Sequence, residues 1–452
     1  MDVVRIKRGR DIPLEGAARR TVESWPLPET VAVVPDDFYG LRARVLVKAG
    51  DRVQCGTPIL EDKADPRVRI VAPLGGQVQE IRRGEKRRLL AVVIQVGDKQ
   101  DYVPCTKFSP VQIPELSRRQ VVDHLLQSGC WPMLRRRPFD SIACPDETPK
   151  SIFIKAMDTA PMAPEYDVAL AGQEEALETG LQVIEKLTDG TVYICCRAKQ
   201  REVFRPKRWD RVTVVGFEGP HPAGNVGTHI HALDPVGPGE VVWHLDFQDV
   251  MAVGRSVLDG RFWPHKVIAL TGTGFRDPCY ARVVRGMSMA SLIDRIFSGQ
   301  EMRVISGNVL SGTDAGMNGF LGFYDTQISV IPKGGTRELL GWTMPGRTKF
   351  SFSRTFISKI FRATEFHLDS DLHGSPRAIV FNDVFDRYVA LDVMTFFLIK
   401  AILAGEIDEM ERLGLLECVP EDFSLAQFAC PSKTDVCRII RRGLDLIRET
   451  QE

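Results

Sequence analysis

The chain has 452 residues, with 59 Lys and Arg against 59 Asp and Glu, and a hydrophobic content of 44%. That length exceeds one ordinary domain and fits about three or four. A formal net charge of zero gives no basic excess of the kind nucleic-acid binders carry. The ten cysteines include the adjacent pair Cys195–Cys196 and no C-x-x-C spacing. This argues against a disulfide framework and for a reducing compartment. The opening MDVVRIKRGRDIPLEG has no apolar core of a secretory signal. The apolar run VMTFFLI at 393–399 stops at Lys400, and no run reaches the roughly 20 residues needed to span a bilayer. Any membrane connection is therefore expected through a partner.

Within an N-terminal region 1–105, residues 30–97 alternate apolar and polar positions between glycine-rich turns, the pattern of short strands. The strings Ala49-Gly50-Asp51-Arg52-Val53 and Ala72-Pro73-Leu74-Gly75-Gly76-Gln77-Val78, with a turn around Lys63, resemble a biotinyl/lipoyl-like β-sandwich. In carrier domains of that kind a hairpin-tip lysine takes the prosthetic group. Here Lys63 lies between Asp62 and Ala64 rather than methionines, which favours an unmodified docking module over a carrier.

Residues 106–260 alternate helical and strand patterns, predicting a Rossmann-like α/β domain. RRQVVDHLLQSG reads as a helix stopped by Gly129, SIFIKAMD as a strand, and APEYDVALAGQEEALETGLQVIEKLTDG as one long amphipathic helix. TVYICCR, RVTVVGFEG and VVWHLDF read as strands, and QDVMAVGRSVLDG as a helix. Residues 261–335 bring the strands HKVIALTG, RVISGNVLSG and QISVIPK around one helical run, SMASLIDRIFSG, suggesting a β-grasp (SLBB-like) domain. Residues 336–380 read as an irregular connector. Residues 381–452 read as a C-terminal helical domain built on YVALDVMTFFLIKAILAGE, EDFSLAQFAC and TDVCRIIRRGLDLIRET. The expected fold class is thus multidomain α+β.

The most informative stretch is Ser128–Phe139, SGCWPMLRRRPF. It follows a helix and precedes a strand, where glycines of an α/β nucleotide-binding domain close around a phosphate. Trp131, Pro132, Met133 and Arg135, Arg136 and Arg137 stand there instead. This segment reads as a solvated basic turn, a partner-docking site, or a quinone contact with a headgroup against Trp131 and Arg135. The string FEGPHPAGNVGTHIH (217–231) carries three of the eight histidines and predicts a helix opening near Gly224–Thr228. Helix-start amides can hold an anion or a carbonyl. His221, His229 and His231 lack the converging ligand set of a divalent metal site, so a structural loop comes first and a small-molecule contact second. LTGTGFRD lacks the third glycine of a dinucleotide loop and reads as a turn. No arrangement supports hydrolytic or nucleophilic catalysis.

The module order, with IKRGRDIPLEG, VVDHLLQSGCWPMLRRRPF, IFIKAMDTAP, FEGPHPAGNVGTHIH, RVISGNVLSGT, LLGWTMPGRTKFSFSR and FACPSKTDV, resembles the NqrA family of the sodium-translocating NADH:quinone oxidoreductases. The resemblance covers essentially the whole chain. More distantly the plan is similar to RnfC and to the NADH-binding flavin subunit of complex I. Those relatives carry a glycine-rich flavin/NADH loop after a Ser-Gly, and clustered iron–sulfur cysteines near the C-terminus. Here Ser128-Gly129 match but the glycines do not follow, and Cys418, Cys430 and Cys437 do not fit one tight cluster.

The resemblance implies a peripheral subunit on the cytoplasmic face of the inner membrane, seated chiefly on the membrane subunit NqrB. The complex would oxidise NADH, reduce ubiquinone and export Na+. This chain would hold no covalently bound cofactor and no metal, with NADH, FAD, FMN and iron–sulfur centres on other subunits and ubiquinone as a substrate. Trp131, Arg135, Phe139, His221 and His229 are the quinone-contact candidates; no catalytic residue is assigned. Two other classes stay open: a soluble NADH- or flavin-binding dehydrogenase subunit with an atypical pocket, and a carrier using Lys63.

Overall fold

Strands near the N-terminus are dealt out among three different sheets. The computed structural model describes residues 3–204, 211–297, 301–334, 345–346, 349–353, 356–359, 365–372, 374–380 and 383–451. Strands β1 (Val3–Arg5) and β2 (Arg19–Ser24) leave the first unit and pair elsewhere. Its barrel-sandwich is built from β3 (Thr30–Val33), β4 (Ala43–Val45), β5 (Arg52–Val53), β6 (Pro58–Asp62), β7 (Arg69–Val71), β8 (Gly76–Arg83) and β9 (Leu89–Val96). The sheets β3-β9-β8-β5 and β4-β6-β7 close over Val31, Ile59, Leu60, Val78, Val92 and Ile94. Period-2 alternation gives each strand one face for this core.

Helix α1 (Arg118–Ser128) opens the α/β unit. The Ser117 hydroxyl accepts the Gln120 amide, the Gln120 side chain returns to the Ser117 amide, and Gly129 closes the helix at φ +76. β10 (Arg135–Arg137), β11 (Ser141–Ile142), β12 (Ser151–Ala156), β13 (Val192–Arg197), β14 (Val212–Glu218) and β15 (Val242–Asp246) form a seven-stranded sheet with β1. Its order is β1-β14-β13-β12-β15-β10-β11, with the first five strands parallel and β10 and β11 antiparallel. The chain builds outward from β12 through β13 to β14, then returns to lay β15 on the other flank of β12. The carboxyl ends of β12 and β15 therefore flank a reversal of strand order, where open α/β sheets bind ligands. The expected long helix over 163–190 is instead two, α2 (Asp167–Leu170) and α3 (Glu174–Glu185). Gly172, at φ +73, breaks it. α4 (Val226–Leu233) and α5 (Phe247–Asp259) complete the unit.

A fourth, six-stranded sheet runs β19-β18-β20-β16-β17-β2, from β16 (His265–Thr271), β17 (Cys279–Val284), β18 (Met302–Ser306), β19 (Thr313–Asp314) and β20 (Gln327–Pro332). Its expected helix SMASLIDRIFSG is only a 3-10 stretch, Met289–Arg295. LTGTGFRD is a turn, with Gly272 at φ +101 donating its amide to the Gly16 carbonyl. Part of the expected connector 336–380, including much of LLGWTMPGRTKFSFSR, lies outside the described residues.

The C-terminal unit comprises α6 (Val384–Tyr388), α7 (Thr395–Ala404), α8 (Ile407–Arg412), α9 (Pro420–Ala429) and α10 (Val436–Gln451). Residues 389–394, expected in the first long helix, are not helical. Its core gathers Phe385, Leu398, Ile402, Phe423, Ile440 and Leu444. One member comes from far away in sequence: Phe139, from the α/β unit.

Candidate functional site

The segment after α1 turns its bulk inward. Trp131 is 0% exposed and lies in the α/β core, its ring edge-on to Trp243 at 5.6 Å. The indole N–H donates to the Ala143 carbonyl at 2.8 Å. Met133 and Leu134 are buried with it, and the Pro132 carbonyl accepts the Tyr324 hydroxyl at 2.6 Å. The three arginines are not a solvated basic turn, because β10 pairs with β15 and carries them into the sheet. Arg135 is stacked over the Tyr324 ring at 4.4 Å and paired with Asp140 at 3.1 Å. Arg136 pairs with Glu147 at 2.7 Å. Arg137 is 1% exposed, with Asp140 and Asp422 both 3.6 Å from its guanidinium.

Asp140 is the knot of this turn. Burial alone would raise its carboxyl, but Arg135, Arg137 and the His244 Nε2–H bond at 2.7 Å hold it well below the usual carboxylate range. His244 is pushed down to about 3, first by burial and then by Arg135, so it stays neutral and donates. Phe139, at φ +81, projects into the C-terminal helical core, and its carbonyl accepts from Arg441 at 3.2 Å. Side chains from two cores thus occupy the phosphate-loop position. The residues do not fit a flavin or a nicotinamide nucleotide: the bulk that would clash is itself packed core, and the nearby charge is committed to internal pairs.

The second convergence is the FEGPHPAGNVGTHIH loop, where α4 begins as its sequence indicates. Gly224 donates its amide to Thr159 Oγ1 at 2.9 Å. The Thr159 hydroxyl also meets His221 Nδ1 at 3.2 Å. His221 is buried and its pKa lowered by that burial; His229 is pushed down to about 3 for the same reason. The His229 ring lies 4.3 Å from Phe217, with Nε2 donating to the Ala223 carbonyl at 2.9 Å. Lys155 at the end of β12 pairs with Asp158 at 2.8 Å and Glu421 at 3.8 Å. The N-terminal turn of α9 and the 3-10 turn Leu415–Glu417 before it cover the site: Asn225 Nδ2–H donates to the Glu421 carbonyl, His231 pairs with Glu417 at 2.8 Å, and Asp422 lies against Gly227.

The five candidates therefore do not line one open pocket. Trp131 belongs to the α/β core, Phe139 to the helical core, His221 is buried in the loop before α4, and His229 is buried within α4. Arg135, with its side chain 25% exposed, is the one that keeps a partly open face. Asp140, His244, Lys155, Glu421 and Asp422 join the two loops and were not singled out from the sequence. Only an acidic first turn after Pro420 signalled the last two. Lys63 stands at the exposed tip between β6 and β7, the position a carrier lysine would take.

Three family models match in chain order: the NqrA N-terminal barrel-sandwich hybrid domain over residues 4–97, the NqrA second alpha/beta domain over 116–262, and the NQRA C-terminal domain over 267–316. The A subunit of the Na+-translocating NADH-quinone reductase from Yersinia pestis is 39% identical over 99% of this chain and all of its own length. The A subunits from Klebsiella pneumoniae and Vibrio parahaemolyticus are 38% and 37% identical over the same shares. This chain belongs to the NqrA family of the Na+-translocating NADH-quinone reductases. As a family member it is a component of an oxidoreductase complex. Among its described residues no helix is long and apolar enough to cross a membrane. A chain of an NAD+-reducing [NiFe]-hydrogenase aligns over 73% of this chain and 66% of its own, with a TM-score of 0.40 and 15% identity, too low to bear on the site.

Proposed function

We propose that this protein is a cofactor-free scaffold of the reductase: a Rossmann-like α/β unit whose flavin crevice is filled by its own side chains, kept for assembly and for handling ubiquinone. The observation that carries this reading is the packing of Trp131 and Phe139 into two different cores, with Arg137 buried between them. NADH, FAD, FMN and the iron–sulfur centres sit on other subunits, and the chain docks on the cytoplasmic face, chiefly against NqrB. Units 1–105, 106–260, 261–335 and 381–452 act as one seat, tied by the partition of β1 and β2 and by the α4–α9 contact.

The quinone contact in this reading centres on Arg135 over Tyr324, the one candidate with an accessible face. A guanidinium can donate to a quinone carbonyl while stacking on an aromatic ring. His221, His229, Trp131 and Phe139 shape that surface from behind. Affinity capture of the tagged chain from detergent-solubilised membranes tests the placement. Co-purification of NqrB is expected; recovery of the chain alone would refute the seat.

A further inference from the structure

The β8–β9 hairpin turns over through Arg82-Arg83-Gly84-Glu85-Lys86-Arg87-Arg88, a run dominated by cations. The Arg88 amide donates to the Glu85 carbonyl at 3.0 Å, and the two residues between them, Lys86 and Arg87, stand in the left-handed region at φ +50 and +62. Two successive positive φ values mark a type I′ turn, whose central positions favour Asn and Gly. A residue with a Cβ is disfavoured there, so local folding does not explain the choice of Lys86 and Arg87.

Internal contacts do not explain it either. At the base of the turn Arg82 pairs with Glu80 and lies over the Phe320 ring at 5.2 Å, and Arg88 pairs with Asp36 at 2.7 Å. Arg83 donates to the Arg87 carbonyl at 3.1 Å and meets no carboxylate among the described residues. The exposed Lys86 and Arg87 side chains make no ion pair and no hydrogen bond among the described residues. Against these three cations the tip sets only Glu85. Leu90, 41% exposed, lies against Gly84, so an apolar side chain stands beside them. Exposed cations next to an exposed apolar group suit the boundary between lipid headgroups and acyl chains.

The cytoplasmic placement proposed above favours one occupant. Cytoplasmic loops of membrane subunits carry an excess of Lys and Arg and would repel this tip, whereas the cytoplasmic leaflet is anionic and attracts it. We propose that the hairpin tip 83–90 is a lipid contact, in which Arg83, Lys86 and Arg87 meet the phosphates of anionic headgroups and Leu90 lies at the acyl boundary. The contact rests on that placement and adds to it a direct touch on the bilayer beside the partner subunit. It is separate from the Arg135 face assigned to quinone.

Co-sedimentation of the purified full chain with vesicles tests this, using phosphatidylcholine alone and phosphatidylcholine mixed with phosphatidylglycerol, at low ionic strength. The wild type is expected to bind the mixed vesicles and not the neutral ones, and added salt should weaken the binding. The double variant Lys86→Asn with Arg87→Gly installs the residues the turn prefers, so the hairpin keeps its fold while losing two charges. Its binding to the mixed vesicles is expected to fall about tenfold or more. Its capture of NqrB from detergent-solubilised membranes is expected to match wild type. A wild type that captures no NqrB fails the placement, and the vesicle assay reads the lipid contact separately. A wild type that ignores the mixed vesicles, or a double variant that binds them equally well, overturns the proposal. Lost NqrB capture with vesicle binding kept would assign the tip to a protein partner and also overturn it.

Discussion

Arg135 carries the quinone reading at the scale of one residue, because it stacks on Tyr324 and its side chain, 25% exposed, is the one among the candidates that is not fully buried. Arg135→Met keeps much of the apolar stem and removes the donors. It should weaken binding of a short-chain ubiquinone about tenfold or more in an equilibrium titration, and unchanged binding would remove Arg135 from the contact. Asp37 supplies a pH signature. Its Oδ2 accepts the Phe323 amide at 2.9 Å, and burial pushes its carboxyl up to about 7. It lines a recess with Phe38, Arg285 and Phe323 whose volume of about 20 Å³ suits a single water. A folded pKa above the unfolded value means the folded chain holds the extra proton. Its stabilising contribution is full below about pH 4 and is lost as pH rises through about 7. Asp37→Asn should flatten that slope, so its melting temperature relative to wild type should rise between about pH 5 and pH 8. A parallel offset at every pH would show that Asp37 does not titrate there.

Asp140 joins elements rather than residues, binding the β10–β11 hairpin to β15 through His244 and holding Arg135 and Arg137 in place. Asp140→Asn leaves buried cations short of a counter-charge, which costs about 3–5 kcal/mol. Urea unfolding should report a loss of that order, and a change under about 1 kcal/mol would mean the knot is not structural. Local signals made several elements legible in the sequence: the amphipathic run of α1, its stop at Gly129, and the opening of α4 near Gly224–Thr228. Other features rested on partners far along the chain. β1 pairs Val3 with Gly216, and β2 pairs Arg19 with Cys279, so nothing nearby in sequence revealed where those strands would go. The break at Gly172 was hidden because apolar periodicity continues across it. At the candidate site, the absence of a glycine loop was plain from Trp131 to Arg137. The burial of the arginines was not, since their counter-charges at Asp140, Glu147 and Asp422 come from the following turn and from the C-terminal unit.

At the scale of the whole molecule, the α/β unit is closed from two sides. Phe139 reaches out into the helical core, and the segment 417–422 at the start of α9 reaches back over α4 with Glu417, Glu421 and Asp422. An interface made in both directions ties the C-terminal helices to the sheet. The family supplies the context, one component of a reductase that as a whole handles NADH and quinone. The most direct test is the flavin content and absorbance spectrum of the purified full-length chain, with NADH titrated by calorimetry on the same sample. The account predicts no visible absorbance, no flavin released on denaturation and no NADH heat. One equivalent of bound flavin, or saturable NADH binding, would contradict it.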